Sequence, residues 1–114
     1  MTGIPSGNGT EVLKNIAGDI TNQTVNILSG TANHIYVIKT LVVCNIDSTD
    51  AKIALEIQIG SNAFNVLIDQ LIGTDSTFVW DNPLVLTGTH ILKLTECNNK
   101  TCHYHLTYID QDWS

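Results

Sequence analysis

The sequence predicts an all-β fold, a single-domain antiparallel β-sandwich or jelly roll of about eight strands. Three observations carry that expectation. The clearest is the segment Ala51 to Gly60, where Ile53, Leu55, Ile57 and Ile59 interleave with Lys52, Ala54, Glu56 and Gln58 before Gly60-Ser61-Asn62 closes the run. A period of two gives a strand one apolar and one polar face, because successive side chains leave opposite sides of the backbone. Turn residues then recur about every 8 to 12 positions, with no helical period between them. Finally, 114 residues at 43% hydrophobic content can bury one core without disulfide or metal.

The elements follow in order. Residues 1 to 10 read as a flexible N-terminal arm, because Gly3, Gly7, Gly9 and Pro5 oppose regular structure. The β-sandwich domain then occupies residues 11–114. Glu11–Ala17 and Asn22–Leu28 are weak strands, separated by a turn at Gly18-Asp19. His34–Asn45 is the longest apolar run, and its β-branched residues suggest a central strand buried on both faces. Asn45 to Asp50 is a turn, and Ala51–Gly60 is the alternating strand. Phe64–Leu71, Thr77–Trp80 and Leu84–Leu86 follow, with Pro83 breaking the chain between the last two. His90–Thr95 and Cys102–Ile109 read as a final hairpin around Asn98 to Thr101.

Composition excludes several functions. Charged residues make up only 14% of the chain, against roughly 25% in globular proteins generally. Asn, Thr and Ser fill the difference, as suits a protein largely covered by neighbours. All five cations are Lys. Without Arg the chain lacks the preferred group for bidentate phosphate and base recognition, and a net charge of −6 opposes polyanions and anionic membranes. No stretch reaches the roughly 18 apolar residues of a membrane helix, and Met1 to Thr10 lacks the basic and apolar regions of a signal peptide. Synthesis in a cytoplasm is the expectation.

From about Val25 onward the chain resembles a family of small β-sandwich virion structural proteins of tailed bacteriophages. The likeness rests on the long strand leading into Lys39-Thr40-Leu41-Val42-Val43-Cys44-Asn45 and on the alternating strand ending at Gly60. It continues through Asp81-Asn82-Pro83-Leu84-Val85-Leu86-Thr87-Gly88, Ile91-Leu92-Lys93-Leu94 and Leu106-Thr107-Tyr108-Ile109-Asp110. The turn after Gly88 often carries Asp in such proteins, whereas here it is Thr89. The resemblance implies an oligomeric role in capsid decoration (cement), head–tail joining or the tail, with phage structural proteins as partners and the virion as final location.

Little in the chain suggests chemistry. Cys97, Cys102, His103 and His105 form one cluster of metal-ligand types, but zinc wants four ligands around a point. On a strand Cys102 points away from His103, which shares its face with His105. His103 and His105 are thus a candidate half-site, which His34, His90 or a symmetry mate would have to complete. No cofactor is implied. A disulfide between Cys97 and Cys102 is compatible with a hairpin, although a reducing cytoplasm favours three thiols. No nucleophile–base pair, phosphate loop or zinc-protease motif appears, so no catalytic residue is assigned and the chain reads as a non-enzyme. Interaction candidates are Trp113, Trp80, Ile4 and Pro5, because Trp is enriched in protein contacts and the arm is free to reach a neighbour. The alternative function is a carbohydrate-binding β-sandwich of a receptor-binding fibre, which needs exposed aromatics among Tyr36, Tyr104, Tyr108, Trp80 and Trp113.

Overall fold

The computed structural model describes residues 10–113, and the arm expected over residues 1–10 lies outside them except for Thr10. Among the described residues nine strands form: β1 (Thr10–Thr21), β2 (Thr24–Ser29), β3 (His34–Asn45), β4 (Ala51–Ile59), β5 (Asn62–Ile72), β6 (Thr77–Trp80), β7 (Leu84–Thr87), β8 (Ile91–Glu96) and β9 (Thr101–Asp112). They make two antiparallel sheets. Sheet A is five-stranded, ordered β1-β9-β3-β6, with β7 also on β3; sheet B is four-stranded, ordered β2-β8-β4-β5. Every connection except β4–β5 and β6–β7 passes from one sheet to the other, which is jelly-roll connectivity. Leu41, Leu55, Leu86, Leu92, Leu94 and Leu106 fill the space between the sheets with no exposed surface.

Three expectations change. Gly18-Asp19 is not a turn: β1 runs straight through it, and the reversal comes at Asn22, which takes the left-handed φ of 46°. Gly18 is there for space, since a Cβ at that position would stand 2.7 Å from the Tyr104 hydroxyl of the paired strand. Nor is β3 buried on both faces. It is central, between β9 and the β6/β7 pair, but Ile35, Val37, Val42 and Cys44 turn to an outer face that is only half-covered. Finally, β8 and β9 form no hairpin, because β8 lies in sheet B and β9 in sheet A.

The side chain that sends β9 to the other sheet is Glu96, which is 1% exposed. Its Oε1 accepts the backbone N–H groups of Asn22 (3.0 Å) and Lys100 (2.9 Å), and its Oε2 accepts that of Asn98 (3.0 Å). One carboxyl thus satisfies donors from two crossings, β1–β2 and β8–β9. Asn45, fully buried, does the same for the other two crossings at this end. Its Nδ2 reaches the carbonyls of Thr49 (2.8 Å) and Ile72 (3.1 Å), and its Oδ1 accepts the Asp47 N–H (2.9 Å). Crossing loops have no strand partner for their backbone groups, so such groups must find side chains or water.

Replacing Glu96 by Ala should cost about 3 kcal/mol or more in urea unfolding, because several amides lose a charged acceptor at once. A cost below about 1 kcal/mol would mean that the corner is held elsewhere. Gly18→Ala should destabilise by about 1 to 3 kcal/mol through overpacking. A second change, Tyr104→Phe, should recover part of that loss by removing the clashing hydroxyl, and a double-mutant cycle reads the recovery directly.

Candidate interaction surface

The alternation that fills the core also decides what each sheet shows to the outside. On the outer face of sheet A, the strand register aligns Leu13, Ile109, Val37 and Val85 in one row across β1, β9, β3 and β7. A second row runs Ala17, His105, Val42 and Val79. The ends of these rows are open: Leu13 is 68% exposed, Val85 52% and Val79 51%. The outer face of sheet B is polar across β2, β8 and β4. There Asn26, Lys93, Glu56 and Asn65 align, beside Thr24 and Thr95, whose hydroxyls are hydrogen-bonded at 2.8 Å. Edge strand β5 of the same sheet nevertheless exposes Phe64, Ile68 (67%) and Leu71, the last opposite exposed Lys52. Apolar surface is thus spread over both sheets, and only in sheet A does it form rows across four strands.

Toward the Glu96 end the second row itself forms one side of an open groove of about 580 Å³, lined among others by Ala17, Asp19, Val42, Cys44, His103 and His105. This is where the histidine pair of the sequence falls. His103 is flanked across the strands by Asp19 and Cys44. Among the described residues no group of three or more His, Cys, Asp or Glu is placed to hold a metal ion. Neither proposed completing histidine is near: His34 sits at the other end of β3 on the inner face, and His90 lies in the turn before β8, accepting the Thr87 N–H at 3.3 Å. Cys102 turns into the core, where burial pushes its thiol up to about 11, while Cys97 is exposed at the end of sheet B. All three cysteines are free thiols, and the absence of a β8–β9 hairpin explains why Cys97 and Cys102 do not face each other.

The aromatic candidates also find their places. Tyr36, Tyr104 and Tyr108 are buried on the inner face of sheet A, with Tyr36 and Tyr108 packed edge to face at 5.5 Å. A sugar groove therefore loses the three tyrosines it would have used. Trp80 is half-buried on edge strand β6 and packs on the core. Trp113 is half-buried after β9, and its backbone N–H donates to Asn33 O at 2.8 Å. Both indole N–H groups are buried without a hydrogen-bond partner. Ile4 and Pro5 lie outside the described residues. The apolar rows themselves were not visible in the sequence, since Leu13, Val37, Val85 and Ile109 are far apart in the chain. The signal that could have found them is the apolar residue at both parities of β3 and β9.

At the opposite end from Glu96, Asp110 gathers charge from both flanking strands. It is 6% exposed, and it accepts Lys14 Nζ at 2.8 Å and His34 Nδ1 at 2.7 Å. Burial alone would push its carboxyl up, but the hydrogen bonds and charges of Lys14 and His34 together hold it below the usual range.

No protein-family model matches the chain, and no curated protein sequence is detectably similar. Solved structures are similar in shape. One belongs to the acid-stable capsid of Helicobacter pylori bacteriophage KHP30, with a TM-score of 0.59 at 7% identity over 89% of this chain and 92% of that one. The fold is a jelly roll of two antiparallel sheets. The same TM-score, 0.59, relates it to a protein of Bacillus endospore appendages, a family of disulfide-linked pili, at 13% identity over 100% of this chain and 98% of that one. At these identities the jelly roll is what is shared.

Two outcomes test these placements. A maleimide at neutral pH should label Cys97 in the folded protein and reach Cys102 only on unfolding, as read by intact mass; early labelling of Cys102 would contradict its inward position. Asp110→Asn should be less stable than the parent at pH 7. Because the folded carboxyl titrates below its unfolded value of about 3.9, the parent's advantage is full above that value and is lost as pH falls through the lower one. Unfolding curves at pH 7 and near pH 2 should therefore show the gap closing in acid.

Proposed function

We propose that this protein is a non-enzymatic structural subunit of a phage particle that binds copies of itself and neighbouring virion proteins, as capsid decoration or cement or as a head–tail or tail accessory. The observation that carries this reading is the pair of apolar rows across the outer face of sheet A. The low charge of the chain and the capsid-like jelly roll support the same reading.

In this reading the outer face of sheet A meets another subunit. Residues 1–9, with Ile4 and Pro5, precede Thr10, which opens edge strand β1, and in this reading they contact a neighbour. Trp113 and Trp80 add apolar surface at the margins of sheet A. Each contact is small, but a particle repeats it many times, so binding strengthens with copy number.

Leu13→Asp combined with Val85→Asp should abolish self-association in sedimentation velocity while leaving the thermal midpoint within a few degrees, since both side chains are largely outside the core. Deletion of residues 1–9 should weaken attachment to particles and leave the isolated domain folded. Undiminished association in both variants would remove this surface and this segment from the account.

A further inference from the structure

A sheet edge carries backbone N–H and C=O groups without a ladder partner, and such edges pair with other chains unless something blocks them. Among the described residues the sandwich has four edges: β1 and the β6/β7 pair in sheet A, β2 and β5 in sheet B. Three of them are blocked. β6 and β7 have four residues each and are separated by Pro83. β2 has six residues and a bulge between Asn26 and Leu28. β5 is long, but its register against β4 slips twice, and Asp69 within it takes the left-handed φ of 50°. β1 has none of these features. Its 12 residues pair one for one with β9, from Thr10 on Asp112 to Thr21 on Thr101, without a bulge or a proline. Three of its polar side chains turn back onto β9: Glu11 accepts Gln111 Nε2 (2.9 Å), Lys14 donates to Asp110 (2.8 Å) and Thr21 is bonded to Thr101 (2.8 Å). Val12 and Leu13, on opposite faces of the strand, are 49% and 68% exposed.

We propose that β1 docks on β1 of a second copy, antiparallel about a two-fold axis, so that the two copies of sheet A become one continuous sheet. The occupant follows from the edge itself. A long unbulged edge needs a partner edge as long and as regular, and among the described strands at the edges only β1 supplies one. Register follows too. Residues opposed in an antiparallel pair share a face, so the axis must pass through a residue and not between two. An axis at Lys14 opposes two lysines, and an axis at Asn15 opposes Glu11 to Asp19 at both ends. Like charges directly opposed are destabilising. An axis at Ala17 shortens the ladder to residues 13–21. With the axis at Ile16, residues 11–21 overlap and no like charges meet. Lys14 then faces Gly18, which has no side chain to cover its charge, and Val12 faces Ile20. Leu13 faces Asp19, so the double variant proposed above, with Leu13→Asp, loses this contact as well as the outer face. The edge is a different surface from that face, and only its use in a particle rests on the subunit reading.

The test uses the full-length chain carrying Val85→Asp, which removes apolar surface from the outer face of sheet A at the end far from β1. Its mass in sedimentation velocity should double as concentration rises from micromolar to millimolar. Native-state hydrogen exchange is read at both concentrations. In an edge strand alternate residues direct their amides outward, so every second amide of β1 should gain protection with concentration, while those bonded to β9 stay unchanged. In this register Asn15 faces Ala17 of the second copy, and both positions are exposed. Asn15→Asp with Ala17→Asp should therefore abolish association, and Asn15→Lys with Ala17→Glu should restore it. A chain that stays monomeric throughout, association that leaves every β1 amide unprotected, outward amides already protected in dilute protein, or an opposite-charge pair that fails to associate would each overturn the edge pairing. If the unmodified chain associates and Val85→Asp alone stays monomeric, the edge fails and the outer-face reading stands. If both chains associate equally, and only through β1, the edge stands and the outer-face reading fails.

Discussion

Glu96 is a carboxyl group with almost no exposed surface, placed where two stretches of chain leave one sheet for the other, and the three amides it accepts are the reason those crossings can be tight. A jelly roll differs from a stack of hairpins in that its chain must repeatedly bridge the layers, and each bridge strips backbone groups of their ladder partners. A buried anion without donors would be strongly unfavourable, and buried amides without an acceptor would be too. Together they satisfy each other. Asn45 repeats the arrangement for the β3–β4 and β5–β6 crossings with a neutral amide, and Asp47 joins the two brackets by accepting the Thr101 N–H at 3.3 Å. Hydrogen bonds from Ser48 and Thr101 hold the Asp47 carboxyl below the usual range.

With that end pinned, the rest of the sandwich is free to differentiate its surfaces. The strands of sheet A run long, up to 12 residues, and their outer side chains form continuous rows because register is set by the core-facing residues. Selection on packing therefore also fixes which apolar side chains line up outside. Sheet B is polar outside across β2, β8 and β4, and its exposed apolar side chains, Phe64, Ile68 and Leu71, lie along the single edge strand β5. The continuous rows of sheet A are a property of the whole register. The far end is closed by a different device, the ionic cluster around Asp110, which ties strands of one sheet instead of bridging two.

The fold was largely legible in the chain. Period-two alternation located β4, the β-branched run located β3, and Pro83 correctly separated β6 from β7, which lie end to end along β3. What misled were residues whose role is set by a distant partner. Gly18 looks like a turn former and is a relief for Tyr104. Asn22 and Asn99, both in left-handed conformation, mark turns, but a turn does not say whether the next strand pairs back or crosses. That choice lies with Glu96, the last residue of its strand, whose bonding partners come from three different positions. Nothing local in the sequence marks Asp110 as the centre of a cluster, because its contacts come from Lys14 and His34, 96 and 76 residues away. The candidate surface was the least visible feature, because a row across four strands has no sequence period at all.

The account depends most on the Glu96 bracket, and native-state hydrogen exchange of single amides tests it most directly. The amides of Asn22, Asn98 and Lys100 lie in connections, where exchange is ordinarily fast. If Glu96 holds the crossings, all three should exchange only through global unfolding, with the same protection as amides of Leu94 and Leu106 in the core. Exchange at loop-like rates, orders of magnitude faster than the core, would show that the crossings are held by the strands alone and would contradict the account.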